Sequence, residues 1–224
     1  MRARTLILLA AAALCLPAPG RAESVRMTQF QRGMRSLGTS VGLAAPTATS
    51  GFDDAVRDGP TAILRYTSYR WDWIALGVEF DYAMFRQKSL RGQERSLFSV
   101  HDAAVLDQKL DAMALMAFAR VNLLEERSWT PYLLGGAGVS YIQASYAAVL
   151  GPPHPPDTTV SGSASCSRLT VAAGGGLEVF LVRDMSLTAE ARFRRYQLDA
   201  GRFNATAAES LSYVLGFHYW YGVD

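Results

Sequence analysis

Apolar and polar positions alternate with period two over most of the chain. Residues 211–221 give the clearest case: Leu211, Tyr213, Leu215, Phe217, Tyr219 and Tyr221 share one face, and Ser212, Val214, Gly216, His218 and Trp220 share the other. A period of two is that of a strand, not of a helix. An almost wholly aromatic and aliphatic face close to the chain end suits the lipid-facing closing strand of a membrane barrel. A half-buried strand of a soluble sandwich has the same period and is the alternative.

The same alternation predicts seven earlier strands. In the first, Leu37, Thr39, Val41 and Leu43 alternate with the small Gly38, Ser40 and Gly42. The second covers about 61–69, with Leu64 and Tyr66 outward and Arg65 and Thr67 inward, and meets the third through a tight turn at Arg70, Trp71 and Asp72. The third sets Ile74, Leu76, Val78, Phe80, Tyr82 and Met84 against Ala75, Gly77, Glu79, Asp81 and Ala83. The fourth, about 110–123, puts Met116, Phe118, Arg120 and Asn122 inside, although its Ala, Leu and Met content would also suit a helix. The fifth (132–146) and sixth (169–182) are rich in glycine, which suits a small, strongly curved barrel. The seventh alternates Leu187, Ala189, Ala191 and Phe193 with Thr188, Glu190, Arg192 and Arg194.

Polar connections are expected at 45–60, 87–106 and 150–165, with short turns near 70–72, 125–130 and 183–184. Long and short connections thus alternate, as they do between the extracellular and periplasmic ends of outer-membrane barrels. The predicted fold is all-β: an antiparallel, up-and-down transmembrane barrel of about eight strands. Both chain ends would be periplasmic, with residues 23–35 a polar lead-in.

Composition adds an export signal. Arg2 and Arg4 precede an apolar run at 6–16, and Gly20-Arg21-Ala22 offers small residues at a cleavage site. The run is too short to span a bilayer, which takes about 20 residues. Residues 1–22 are therefore expected to be a cleaved signal peptide and 23–224 the barrel domain. Leu14 precedes Cys15 where a lipoprotein box would hold a small residue, so no lipid anchor is expected. Cleavage removes three arginines and no acid, taking the formal charge from +2 to −1. That leaves no basic surplus to suggest nucleic acid. Cys166 remains as the single cysteine after cleavage, expected in a loop and dispensable for folding.

The inward positions carry the candidate chemistry. They include Arg65, Arg120, Arg192 and Arg194 against Glu79, Asp81, Glu178 and Glu190, together with His218. An eight-stranded barrel is just wide enough for side chains to fill it, and buried charges must be paired. A salt-bridged plug is the expected reading, and a narrow passive pore the alternative. An enzyme would need a nucleophile and a base within hydrogen-bond reach. His101 and His154 fall in loops, and Ser212 lies about 20 Å from His218 along its strand. No metal spacing is visible, and Gly174 to Gly176 lie within a strand rather than in a phosphate loop. No catalytic, cofactor or metal residue is assigned.

Three stretches carry a resemblance: Pro131 to Tyr141 (PYLLGGAGVSY), Gly174 to Phe180 (GGGLEVF) and Ser186 to Phe193 (SLTAEARF). They resemble the opacity-protein and OmpA-like superfamily of outer-membrane barrels, and the likeness spans most of the mature chain. It implies a Gram-negative outer membrane, lipid contact, a monomer, and assembly machinery that reads the C-terminal strand. In that superfamily the chain typically ends on an aromatic residue; here Gly222, Val223 and Asp224 follow Tyr221. It also implies a structural or surface role, with an adhesin binding an extracellular ligand through the loops as one form.

Overall fold

The computed structural model describes residues 30, 32–47, 56–87, 103–124, 128–150, 158–199, 203 and 206–222. Within them run eight long strands: β1 (Arg35–Pro46), β2 (Gly59–Tyr69), β3 (Ile74–Gln87), β4 (Ala103–Asn122), β5 (Trp129–Leu150), β6 (Thr159–Val182), β7 (Met185–Gln197) and β8 (Ala207–Tyr221). Each pairs antiparallel with its neighbour in sequence, and a two-residue strand, Val56–Arg57, adds to the edge of β3. Closure comes from β1 against β8, from Arg35↔Tyr221 through Pro46↔Ser210. Every strand of a closed barrel has two partners, so no backbone edge faces lipid, where an unpaired peptide group costs several kcal/mol.

Alternation decides which side chains meet lipid. On β3 the outward set runs from Ile74 through Phe80 to Met84, and on β8 from Tyr221 back to Leu211. Val41 and Leu115 are each 63% exposed, and Leu64, Val139, Leu133 and Leu215 are comparable. Such a wall would be untenable in water. The apolar outward runs last nine to eleven residues on β1, β3, β4, β7 and β8, the length that a tilted strand needs to cross a bilayer. Trp71, Trp73, Trp129, Tyr219 and Tyr221 ring the turn end, where amphipathic rings favour the interface.

The turn end is compact. Arg70 and Trp71 donate backbone N–H to the carbonyl of Ile74, and Arg183 and Asp184 close β6–β7. Gly33, at φ +94°, takes a left-handed turn just before β1. Its N–H reaches the Tyr69 carbonyl at 3.0 Å. The lead-in is not simply polar: Phe30 and Met34, on either side of this turn, are buried in the barrel mouth beside Tyr69, Phe180 and Trp220.

At the opposite end the strands outrun the predicted bounds. β4, β5 and β6 contain 20, 22 and 24 residues and project past the shorter wall as a three-stranded sheet. Residues 159–165, expected in a loop, are strand, as are 103–106 and 129–130, and β1 continues to Pro46 while Gly59 and Pro60 begin β2. Cys166 is correspondingly no loop thiol: it is buried, opposite Ile142 in register, within the apolar cluster that fills this end of the lumen. Residues 1–29, and with them the expected signal peptide, lie outside the described residues, as do His101 and His154.

Candidate functional site

All nine residues singled out in the sequence lie inside the barrel and are buried. Their strands put them there by parity alone: Arg65 on β2, Glu79 and Asp81 on β3, Arg120 on β4, Glu178 on β6, Glu190, Arg192 and Arg194 on β7, and His218 on β8. Interior glycines make the room. A Cβ on Gly38 would lie 2.5 Å from the His218 ring, one on Gly77 2.5 Å from the Phe118 ring, and one on Gly176 2.7 Å from the Tyr132 hydroxyl.

The charges are arranged in a ring with a pair above and a pair below. Arg65 Nε donates to Glu79 Oε2 at 3.1 Å, while its two terminal nitrogens grip Glu190 at 3.0 and 3.2 Å. Arg192 Nη1 donates to the other oxygen of Glu79. The ring closes through Arg192 Nη2 and Glu190 Oε1 at 2.7 Å, an ion pair without hydrogen-bond alignment. Two arginines and two glutamates alternate around it, so it carries no net charge. It ties β2 and β3 to β7 across the lumen.

Toward the turns, Arg120 pairs with Glu178, which also accepts from Ser186 and from Trp220 Nε1 at 3.1 Å. The Arg120 guanidinium lies 3.8 Å from the Tyr132 ring centre and 5.6 Å from that of Phe30. Such contacts offset the loss of water around a buried cation. Tyr132 in turn donates to Glu190 at 2.8 Å, joining this level to the ring. Toward the long strands, Arg194 Nη2 donates to Asp81 Oδ2 at 2.5 Å and Nη1 lies 3.3 Å from the Tyr196 hydroxyl.

Apolar layers close both ends of this charged middle. On the turn side, Phe30 sits against Tyr69, Phe180 and Trp220 with ring centres 4.9, 5.1 and 5.5 Å away. On the other, Phe85, Leu110, Ile142, Leu198 and Phe203 pack over Ala44, Ala83, Ala112 and Ala144. Phe30 escaped sequence reasoning because it precedes any alternating run. The only signal was an aromatic residue within a polar stretch.

His218 Nδ1 and Ser36 Oγ stand 3.5 Å apart across β1 and β8, so a serine on another strand does approach the histidine. The remaining parts of a nucleophilic site are missing from the described residues. His218 Nε2 has no hydrogen-bond partner, Glu178 is occupied by Arg120, Ser186 and Trp220, and both Ser36 and His218 are fully buried. Among the described residues no group of three or more His, Cys, Asp or Glu side chains is placed to hold a metal ion.

No family model matches the sequence, and no curated protein is similar to it. Solved structures do match. Neisserial surface protein A is 15% identical, with a TM-score of 0.50, over 84% of this chain and 96% of that one. Ail, the attachment invasion locus protein of Yersinia pestis, is 16% identical, with a TM-score of 0.47, over 85% and 100%. The outer membrane protein OprG from Pseudomonas aeruginosa is 12% identical, with a TM-score of 0.47, over 88% and 100%. At such identities the likeness is one of architecture. The closed antiparallel wall, its apolar belt and the match to Neisserial surface protein A together give this chain the fold of the small eight-stranded outer-membrane barrels.

Proposed function

We propose that this chain is a non-conducting barrel of a Gram-negative outer membrane, exported by a signal peptide cleaved near residue 22, whose interior charges hold the wall together and whose role is played at its extracellular end. The observation that carries the reading is the neutral ring of Arg65, Glu79, Arg192 and Glu190 spanning the lumen between two apolar layers. An ion following the axis would have to part these pairs and displace Phe30 and the cluster around Phe85 and Phe203. Filling of this kind is what an eight-stranded barrel accommodates. The extracellular emphasis rests on β4, β5 and β6, which continue well past the apolar belt. The protein acts as a monomer, its C-terminal strand serving the assembly machinery and its extracellular sheet and loops serving a surface ligand.

Planar-bilayer conductance of the refolded mature protein tests this, with Glu79→Gln and Arg192→Gln beside wild type. A silent wild type with destabilised variants is expected. Discrete openings whose ion selectivity shifts with these substitutions would make the protein a pore and overturn the reading.

A further inference from the structure

Arg57 pairs in register with Arg86 on β3, and Arg86 pairs in register with Lys109 on β4. Residues directly opposite project from the same face with Cβ atoms about 5 Å apart, and like charges so placed repel. Three cations therefore stand side by side on the outer wall. Both arginines are exposed and Lys109 is partly so. Lys109 is held by Asp111 at 2.9 Å, and Asp111 Oδ1 accepts from the Tyr82 hydroxyl at 2.9 Å. Among the described residues, neither arginine has an anionic partner.

Their height on the wall indicates what would balance them. Below, toward the belt, the outward residues are Met84, Tyr82 and Phe80 on β3 and, past Asp111 beside Met84, Met113 and Leu115 on β4, so acyl chains end and headgroups begin at this level. The row is also local. The same register continues into Ser145 on β5 and Ser163 on β6, while on the opposite wall the outward Arg195 already lies 3.6 Å from Glu209.

We propose that Arg57, Arg86 and Lys109 form a binding site for the phosphate of an anionic lipid in the extracellular leaflet, with its acyl chains lying against Phe80, Met113 and Leu115. Two guanidiniums can share phosphate oxygens through parallel hydrogen bonds. The Asp111 and Tyr82 contacts fix the third cation beside them. The site lies outside the lumen, so it stands or falls independently of whether the interior conducts.

The test uses the mature protein refolded in phosphatidylcholine nanodiscs doped either with bisphosphorylated lipid A or with lipid A stripped of both phosphates. Native mass spectrometry reads the lipid retained by each barrel. Retention is expected for the phosphorylated form alone, and it should fall as salt is raised. Arg57→Gln with Arg86→Gln should weaken it roughly thirtyfold, taking about 1 kcal/mol per basic residue near a lipid surface, whereas Arg195→Gln should leave it unchanged. Equal retention of the two lipids, insensitivity to salt, or equal losses from Arg195→Gln and the double variant would overturn the proposal. So would full displacement of the lipid by millimolar inorganic phosphate, which would mark a site for free anions. The salt arm needs only wild type, and so decides the matter even if the double variant fails to fold.

Discussion

Replacing Glu79 by Gln removes one charge from the closed ring while keeping nearly the same shape. Glu79 accepts from Arg65 through one carboxylate oxygen and from Arg192 through the other. The amide can accept from only one of them, and turns donors toward the second guanidinium. The ring then holds two arginines and the single acid Glu190, a surplus positive charge among groups no more than 2% exposed. Removing one partner of a buried pair costs roughly 3–5 kcal/mol, because the other is left uncompensated. The same cost is expected for Arg192→Gln, which strands a carboxylate. Combining the two restores neutrality, since Arg65 and Glu190 keep their two-pronged contact at 3.0 and 3.2 Å. The double variant should therefore be about 2 kcal/mol or more better than the sum of the singles. Equilibrium urea unfolding in lipid vesicles, followed by tryptophan fluorescence, measures all three. Single variants within about 1 kcal/mol of wild type, or strict additivity, would refute the view that the ring acts as one neutral unit.

Phe30→Ala should cost about 3–5 kcal/mol in the same unfolding assay, because it empties the box made by Tyr69, Phe180 and Trp220; a loss below about 1 kcal/mol would mean that residue 30 does not occupy the mouth. Gly38→Ala should destabilise by about 1–3 kcal/mol, since its methyl would sit 2.5 Å from the His218 ring. His218→Ala in the same chain should recover most of that loss, and failure to do so would place the clash elsewhere. Cys166→Ser should still fold, shown by retained heat-modifiable mobility on electrophoresis, at a cost of about 1–3 kcal/mol for burying a hydroxyl among Ile142, Ala144 and their neighbours. In wild type the thiol should label with maleimide far faster in urea than in the folded barrel, and equal rates would contradict its burial.

The parts of the barrel most readable from sequence are those where lipid enforces contrast. On β3 from Ile74 to Met84 and on β8 from Leu211 to Tyr221 every outward residue is apolar or aromatic, and the inward ones, Val214 apart, are small, charged or hydrogen-bonding, so alternation assigns both the strand and its inner face. Beyond the belt that contrast fades. On β6 the outward Ser161, Ser163, Ser165 and Ser167 face water, while the inward side holds Gly162, Ala164 and Cys166. The two sides then resemble a Ser-rich loop in composition although the backbone pairs continuously with β5. On β4 an irregularity in pairing between Val105 and Asp107 further breaks the period. The partners of the interior charges were not legible either. Parity says that Arg65 and Glu190 both point inward, but only the stagger of β2 relative to β7 brings them together.

That stagger bears on how the protein assembles. Arg65 and Glu190 are 125 positions apart, and Arg192 lies 113 from Glu79. A sheet that has inserted β2 and β3 but not yet curled round to β7 keeps the Arg65–Glu79 pair, but leaves Asp81 without Arg194 and Glu79 without its second arginine. Such an open sheet in lipid is penalised both along its unpaired edge and for each stranded charge. Pairing of β1 with β8 removes the edge and brings the ring together in one step. Partly closed forms should thus be sparsely populated, and unfolding followed by fluorescence and by electrophoretic mobility should report a single coincident transition.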